Sequence, residues 1–535
     1  MWPTTQGWAL LLALVLLFGA SALLPGAANA TFLPQERIPT NSPIYRDLER
    51  LIASYDRTPH AFSTRPLRLR EILSFLNSLE IEYPSAALDP ALIRVRRAVD
   101  PEAPGAKGPL IKVKGDEDEI ATASPYASLV YEEDPKNNPD LNRDYRVGVQ
   151  VAAAIDSNSV FVFNGYEGTA SQGGRGTPNF GTLNAAIEGV DMNSWLDEAY
   201  AEVTFSRVRM LFGHTWLRWG PGRDGTLALS DTAPALDMVR GEAGFTRNWR
   251  GQWFVALLDP GPQTYLAGHR LSWTFHSDVT FGLTELARFD GTSQGLLYFI
   301  PIVPYSFWEK RPKSVPSNAV PGDTTGLALA KNNVLTSVDV AWNVRPGFRL
   351  WGEFMIDDIS FSSDYKPDMI GWQAGMEERW ILGTSSADRP ARAATVSIEY
   401  NRVNNYTYSA WHGHNFEQRG YPLGFVYGPD VMQVAAEASY EHGANIELRL
   451  RAELRRKGEG AVGNPWLPAQ GKVDAGNVSG IVERDARLAA QLIYTPSRMI
   501  RLEATAGAAS FKNEDHRNVG DEMVVPFRLA ARLEW

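Results

Sequence analysis

Apolar and polar residues alternate one by one along several segments of the chain. Residues 446–455 read IELRLRAELR, and the chain ends in FRLAARLEW with the aromatic Trp535. Residues 145–155 and 487–494 show the same period of two. This period is typical of a β-strand that lies between an apolar and a polar environment. The pattern therefore predicts antiparallel β-sheet through the larger part of the chain.

Strand length and connection length favour a membrane barrel over a soluble sheet. The longer runs cover about 10–12 residues, whereas soluble strands most often have about 5–6 and transmembrane strands about 9–11. The runs at 334–342 and 348–356 are joined by a tight turn, while residues 164–193 and 357–368 read as long polar loops. Short turns at one end and long loops at the other are typical of outer-membrane barrels, whose strands must close because hydrocarbon does not tolerate an open sheet edge.

The number of candidate strands then sets the size of the barrel. About 17 candidates lie after residue 124, and single-chain bacterial barrels have even strand numbers. We therefore predict an all-β transmembrane antiparallel β-barrel of about 18 strands, with 16 as the alternative. The additional strand is expected near residues 235–240 or 421–427.

The first part of the chain differs from the barrel. Residues 1–30 contain an apolar run followed by Ala28-Asn29-Ala30, which indicates a signal peptide, with a retained membrane anchor as the alternative. Residues 31–100 are predicted to form a periplasmic helical segment whose helices begin after Pro43, after Pro66 and at Pro90. We expect these helices to dock at the periplasmic mouth. Residues 101–120 read as a linker, and residues 121–535 as the outer-membrane barrel.

Composition excludes several classes of protein. The chain has no cysteine, which excludes disulfides, thiolate metal sites and a lipid-modified amino-terminal cysteine. A net charge of −10 argues against nucleic acid as a partner. No metal site and no cofactor are expected.

Charged residues recur on the polar face of the predicted strands, where Arg and Glu alternate as at Glu447, Arg449, Arg451 and Glu453. Guanidinium and carboxylate groups pair bidentately. A wide water-filled pore does not need such a density of paired charge, so the pattern indicates an occluded or narrow lumen. The pairs either stiffen the wall alone or also serve conduction or ligand binding.

Several Gly- and Pro-containing motifs, in this order, resemble the Wzi-type capsule assembly family of outer-membrane proteins. They are WGPG at 219–222 with LALS at 227–230, EFMIDD at 353–358, and GYPLG at 420–424 followed by GPD at 428–430. The resemblance implies a location in the outer membrane of a Gram-negative bacterium. It also implies lectin-like attachment of capsular or extracellular polysaccharide at the cell surface, with export machinery as a possible partner and a lumen that is not the export route.

Aromatic residues in two loops are the candidate polysaccharide-binding residues. Pyranose rings pack on flat aromatic faces, and planar donors bind their hydroxyl or carboxylate groups. The alternative places some of these aromatic residues in the girdle at the lipid headgroups. The candidates are Tyr298, Tyr305, Trp308, Tyr406, Tyr408, Trp411, His412 and His414.

The stretch WLRWGPGRDG at 216–225 is predicted to fold into the lumen as a structural plug, with direct ligand contact as the alternative. Its glycines permit close backbone approach, and its Arg and Trp residues suit a packed, charge-lined interior. The plug residues are Trp216, Arg218, Trp219, Gly220, Pro221, Gly222 and Arg223.

Two other functions compete with the surface lectin. We expect no enzyme, because G-x-S-x-G is absent and no nucleophile has a base at local spacing. His412-Gly413-His414 lacks a carboxylate partner at metal-ligand spacing. An outer-membrane porin or substrate-specific diffusion channel is the alternative to the surface lectin.

Overall fold

The structure is a computed structural model that carries side chains. It describes residues 33–59, 62–100, 111–115, 119–134, 138–168, 193–259, 264–290, 298–300, 303–306, 332–359, 367–383, 390–410, 413–470, 473, 477–497 and 499–534. The expected signal peptide, residues 101–110 and 116–118 of the expected linker, and four residues singled out above, Trp308, Trp411, His412 and Trp535, lie outside these ranges.

Eighteen antiparallel strands in the described part of the chain form a closed barrel. They are β1 (Ile120–Asp134), β2 (Asn138–Ala154), β3 (Ser159–Gly168), β4 (Asn193–Phe205), β5 (Val208–Thr215), β6 (Leu236–Gly244), β7 (Trp249–Asp259), β8 (Thr264–Phe275), β9 (Val279–Asp290), β10 (Asn332–Arg345), β11 (Phe348–Asp358), β12 (Met369–Gly383), β13 (Arg392–Val403), β14 (Val431–His442), β15 (Ile446–Lys457), β16 (Glu483–Ser497), β17 (Ile500–Lys512) and β18 (Phe527–Glu534).

The last strand closes the ring on the first. Each strand pairs with the next along the chain, and β18 pairs with β1 from Phe527 opposite Glu133 to Glu534 opposite Tyr126. The prediction of 18 strands is confirmed, and the alternative of 16 is wrong. Strand β6 is the additional strand, at the first of its two expected places. Tyr421–Pro422, at the second place, forms a small hairpin with Glu417–Gln418 outside the ring.

The two faces of the wall differ in polarity. On β15, Leu448, Leu450 and Leu454 point outward and are 49%, 50% and 61% exposed. The intervening Glu447 and Glu453 point into the lumen and are buried. Because the outward side chains are apolar around the ring, the barrel lies in lipid, and the protein is located in the outer membrane.

The ends of the barrel also differ. Tight turns such as those at 205–208, 275–279, 345–348 and 442–446 lie at one end, while the connections at 215–236 and 403–431 lie at the other. Short turns face the periplasm in outer-membrane barrels, and long loops face the exterior. This arrangement gives the barrel its orientation.

Three helices precede the barrel: α1 (Ile44–Tyr55), α2 (Leu69–Glu82) and α3 (Pro90–Val99). All three begin where the sequence predicted. Helix α3 has Pro90 in its first turn, and the side chain of Asp89 accepts a hydrogen bond from the Ala91 N–H at 2.8 Å. This contact satisfies one of the free N–H groups at the start of the helix.

The helical segment lies in the periplasmic end of the lumen. The Gly347 N–H, in the turn between β10 and β11, donates to the Ala53 carbonyl at 2.6 Å. The Thr58 N–H donates to the carbonyl of Ser277, in the turn between β8 and β9, at 2.8 Å. The helices therefore dock against the short-turn end, where their apolar residues pack in a core of their own.

Buried ion pairs hold the helical segment to the wall. Arg50 of α1 is 1% exposed, donates to Ser439 Oγ at 3.0 Å and pairs with Glu441 and Glu447 of β14 and β15. In the reverse direction, Arg379 of β12 pairs with Asp89 at 2.7 Å. The helical segment and the wall therefore each contribute both a cation and an anion to these ion pairs.

The lumen is filled unevenly. Wall residues that face inward from β4 to β14 are almost completely buried, as Glu242, Arg270 and Glu377 show at 1%, 2% and 0% exposure. In contrast, the inward side chains of Arg528 and Arg532 on β18 are 38% and 53% exposed. The helical segment and the inward loops thus pack against one side of the lumen and leave the other side open to solvent.

Shorter elements complete the described chain. They are the two-residue strands Thr64–Arg65 and Arg218–Trp219, the strands Ile111–Lys114 and Glu522–Val524 at the rims of the barrel, and the 3-10 helices Pro84–Leu88, Pro468–Gln470 and Glu514–His516. No described helix is both long enough and apolar enough to cross a membrane.

The first prediction tests which face of β15 meets lipid. Leu450→Arg should lower the yield of folded, inserted barrel, because a guanidinium on the lipid face costs about 2–4 kcal/mol near the midplane. Arg451→Leu, one residue later, faces the lumen and should have the milder effect. Heat-modifiable gel migration of the membrane fraction measures the folded yield. Equal yields for the two variants would contradict the register.

A second prediction concerns the buried ion pairs. Arg50→Ala should loosen α1, because removing one partner of a buried pair costs up to about 3–5 kcal/mol. Hydrogen exchange of the α1 amides measures this local opening. Arg57→Ala is the control, since Arg57 pairs with Glu82 at the surface, where such pairs contribute at most about 1 kcal/mol. Similar exchange rates in both variants would show that the buried pair does not anchor the helix.

Candidate functional site

The extracellular loop between β5 and β6 folds into the lumen. Trp219 is completely buried, and its ring meets Phe254 of β7 edge-on with ring centroids 5.2 Å apart. Trp216 Nε1 donates to the Ala233 carbonyl at 3.1 Å, which closes the loop on itself. Leu217, Leu227 and neighbouring residues join the same apolar cluster inside the barrel.

Inside the lumen this loop meets the helical segment. Arg218–Trp219 pairs antiparallel with Thr64–Arg65, and the Gly220 N–H donates to the Ser63 carbonyl at 2.8 Å. Gly220 has a φ of 132°, and a Cβ there would lie 2.7 Å from Thr226 Cγ2. A side chain at this position would therefore be strained and would clash. A segment entering from the periplasm and a loop entering from outside thus form one hydrogen-bonded unit.

Arg223 and the following residue attach the loop to the opposite wall. The Arg223 guanidinium pairs with Glu377 of β12 and lies 3.4 Å from Glu49 of α1. The N–H groups of Arg223 and Asp224 both donate to Glu399 of β13, at 2.7 and 3.1 Å.

The other plug residues are buried beside this attachment. Arg218 pairs with Asp231 of its own loop at 3.3 Å and donates to the Gly222 carbonyl, so it does not reach a carboxylate of the wall. Pro221 and Gly222 are buried next to it, and a Cβ at Gly222 would collide with Gln373 of β12. All seven sequence-predicted plug residues lie in the lumen.

The extracellular loop at 404–430 packs on top of the inward loop. The Tyr408 hydroxyl donates to the Leu227 carbonyl at 2.6 Å, and the Ser230 N–H donates to the Leu423 carbonyl at 2.7 Å. Tyr408 and Phe425 are completely buried in the shared apolar cluster. The two loops therefore close the extracellular side of the lumen together.

Four of the sequence-predicted polysaccharide-binding residues are buried in the loops. Tyr298 stacks on Phe289 and also contacts the ring of Tyr305, and the Tyr305 hydroxyl donates to the Tyr298 carbonyl at 2.8 Å. Tyr408 is buried as described, and His414 is 5% exposed. Their contact with polysaccharide stays a prediction.

Tyr406 is the half-buried member of the set, while Trp308, Trp411 and His412 lie outside the described residues. Tyr421 was not among the candidates, yet its side chain is 43% exposed at the tip of a small extracellular hairpin. The turn residue Gly420 before it, with a φ of 82°, was the signal that could have identified this tip. The structure therefore adds an exposed aromatic residue to the candidates.

Buried charges in the plug are balanced by residues that are close in space but far apart in the sequence. Burial would raise the pKa of Glu49, but the guanidinium groups of Arg65, Arg223, Arg349 and Arg218 outweigh it and lower that pKa. Burial raises the pKa of Glu36 to about 8, which favours the uncharged form of this carboxyl group. Among the described residues, no group of His, Asp and Glu side chains is arranged to hold a metal ion.

Comparison with known proteins gives a family and a fold. The family model described as Capsule assembly protein Wzi matches residues 131–523. Among solved structures, Wzi of Escherichia coli, described as an outer-membrane protein involved in group 1 capsule assembly and a carbohydrate-binding β-barrel, is 15% identical with a TM-score of 0.60. The alignment covers 93% of this chain and 99% of that chain.

Two further solved structures are less similar. OmpT of Vibrio cholerae is 11% identical with a TM-score of 0.36, covering 79% of this chain and 99% of that chain. OpdH of Pseudomonas aeruginosa is 10% identical with a TM-score of 0.41, covering 78% and 98%. No curated protein sequence matches the chain.

The third prediction tests the plug. Replacing Gly220-Pro221-Gly222-Arg223 by a Ser/Gly stretch of equal length should raise single-channel conductance in planar bilayers, because the loop loses its attachment to Glu377. The control replaces residues 517–520, an exposed stretch before β18, in the same way and should leave conductance unchanged. An unchanged conductance in the first variant would show that these four residues do not close the lumen.

The family assignment rests on a match that extends from β1, the first strand of the barrel, to the segment just before β18, its last strand. The closed ring of 18 strands agrees with the barrel that the alternation of apolar and polar residues predicted, and the family match agrees with the resemblance carried by the Gly- and Pro-containing motifs. This chain belongs to the Wzi family of capsule assembly proteins.

Proposed function

We propose that the protein holds a polysaccharide at the outer surface of the cell as a lectin-like component of the outer membrane. The observation that carries this proposal is the plugged lumen, in which the helical segment and the inward loop meet between Thr64–Arg65 and Arg218–Trp219. A lumen filled in this way does not serve a polymer as an export route. The extracellular loops are then the part of the protein that can contact a surface polymer.

The family supports a polysaccharide as the ligand. The family model is described as a capsule assembly protein, and the related protein of Escherichia coli is described as carbohydrate-binding. That protein is 15% identical to this chain, which supports a shared fold alone. The family therefore supports the ligand class, and the loops of this chain supply the proposed contact residues.

The proposed contact surface lies on the loop at 404–430. Tyr421 exposes its ring at the tip of the hairpin, and Tyr406 is half-buried in the same loop. Trp411 and His412 follow in sequence and stay candidates, as does Trp308 of the loop after β9. An exposed aromatic face is suited to pack on the C–H surface of a pyranose ring. Tyr298, Tyr305, Tyr408 and His414 would support these loops from beneath.

A diffusion channel is the second candidate function, and one observation favours it. The inward side chains of Arg487, Arg528 and Arg532 are 40%, 38% and 53% exposed, so water reaches that side of the lumen. The conductance of the unmodified protein separates the two functions, since a general porin conducts freely. We propose no enzymatic activity, and export machinery is a proposed partner that would meet the periplasmic face of the helices.

The fourth prediction tests polysaccharide binding. Tyr421→Ala should reduce the polysaccharide retained on intact cells several-fold, because stacking on an exposed aromatic ring contributes about 1 kcal/mol or more per contact. Tyr494→Ala is the matched control, since Tyr494 is 41% exposed but lies at the periplasmic end of β16. Retention is measured as the ratio of cell-bound to released polysaccharide at equal barrel levels.

Two results would contradict the proposal. Equal retention in the Tyr421→Ala and Tyr406→Ala variants and in the wild-type protein would remove this loop as the contact surface. Loss of retention in the Tyr494→Ala control would show that the assay reports barrel assembly rather than binding.

A further inference from the structure

A cavity of about 350 Å³ lies inside the lumen between the helical segment, the inward loop and the wall strands β13, β14 and β15. Six arginines line it: Arg46, Arg65, Arg218, Arg223, Arg449 and Arg451. We call it the arginine cavity. Its side chains come from three parts of the chain that lie far apart in the sequence, so the cavity exists only in the assembled barrel.

The carboxylates in the arginine cavity are already engaged. Glu49 pairs with Arg65 at 2.6 Å, Asp224 pairs with Arg451 at 2.8 Å, and Glu437 pairs with Arg46. Glu399 accepts from the backbone of the inward loop, and Asp231 pairs with Arg218 as described above. Outside the lining, Arg449 pairs with Glu447 at 2.6 Å and Arg451 pairs with Glu453 at 3.1 Å. Because each guanidinium carries five N–H donors, these pairings still leave unused donors. The cavity is therefore rich in hydrogen-bond donors, and its lining has six arginines against five carboxylates.

One donor of the cavity is left without an acceptor. The Nε of Arg218 is buried and has no hydrogen-bond partner among the described residues, although Arg218 lines the cavity and is 7% exposed. A bound anion would satisfy this group, because it supplies acceptors and negative charge.

We propose that the arginine cavity is a binding site for a sugar-sized oxyanion, a monosaccharide unit that carries a carboxylate or a phosphate group. Arg449 and Arg451 would bind the oxyanion from the wall, and Arg46 would bind it from α1. Ser42 and Ser397, which also line the cavity, would bind sugar hydroxyl groups. This site goes beyond the surface loops of the proposed function and does not depend on them.

The size and access of the arginine cavity fit such a ligand. Small-molecule pockets typically have volumes of about 300–1,000 Å³, and this cavity lies at the lower end. The side chains of Arg46 and Arg451 are 28% and 35% exposed, so the cavity is open to solvent. A ligand of monosaccharide size can therefore reach the arginines without displacing the plug.

Calorimetric titration of the purified full chain in detergent tests the proposal. The probes are glucuronate, glucose 1-phosphate, inorganic phosphate and uncharged glucose. The double variant Arg449→Gln/Arg451→Gln should weaken glucuronate binding about tenfold or more, because it removes two charge-assisted contacts. The double variant Arg449→Lys/Arg451→Lys should retain part of the affinity. The matched control is Arg528→Gln/Arg532→Gln, which removes two lumenal arginines that do not line the cavity.

The expected result is binding of both sugar anions, no binding of glucose, and a loss confined to the cavity variant. Binding of inorganic phosphate as tightly as glucose 1-phosphate would overturn the sugar part and identify a free-ion site. Equal weakening in the cavity and control variants would overturn the site, because it would indicate diffuse attraction by the whole lumen. Absence of anion binding to a protein that is folded by gel migration would also overturn it. Polysaccharide retention through Tyr421 is measured separately, so either proposal can fail alone.

Discussion

In the hydrocarbon of a bilayer each backbone N–H and C=O group needs a partner within the protein, and the closed hydrogen-bonded ring of this barrel meets that requirement. Strand geometry then forces successive side chains to opposite faces. Leucines such as Leu448 and Leu450 meet lipid, and the charged residues between them have to face inward. A polar lumen is thus a consequence of closing the ring in lipid.

The filled side of that lumen depends on charge pairing across the barrel. Burying an unpaired charge costs several kcal/mol, whereas a paired and hydrogen-bonded charge is tolerated. Arg50 of α1 inserts among Ser439, Glu441 and Glu447 of the wall, and Arg379 of the wall reaches Asp89 before α3. Neither the helical segment nor the wall could bury these groups without the other. The plug and the barrel therefore behave as one folded unit.

The two halves of the lumen differ in how completely side chains fill them, and this difference gives them different roles. From β4 to β14 the inward residues are packed, and the meeting of Thr64–Arg65 with Arg218–Trp219 links the periplasmic and extracellular parts of the plug. The loop at 404–430 rests on this packed half and carries the exposed Tyr421. Rigid support beneath an exposed aromatic ring reduces the entropy lost on binding, which suits a surface that holds a polymer. In the other half the inward side chains are more exposed, as at Arg528 and Arg532.

The sequence alone determined what depends on local periodicity. Alternation at 446–455 assigned Leu450 to the lipid face and Arg451 to the lumen, helical spacing together with Pro90 located the helices, and the glycines of WGPG indicated a tightly turned segment. Tertiary structure decided what depends on partners distant in sequence. Arg50 and its partner Glu441 are 391 positions apart, and Arg223 and Glu377 are 154 apart, so no local pattern contains these pairs. Aromatic residues were hardest to assign, because the same ring chemistry suits burial at Tyr408 and exposure at Tyr421. Which of them meets solvent is decided by how the loops fold back over the plug, and that is a property of the closed barrel rather than of any one segment.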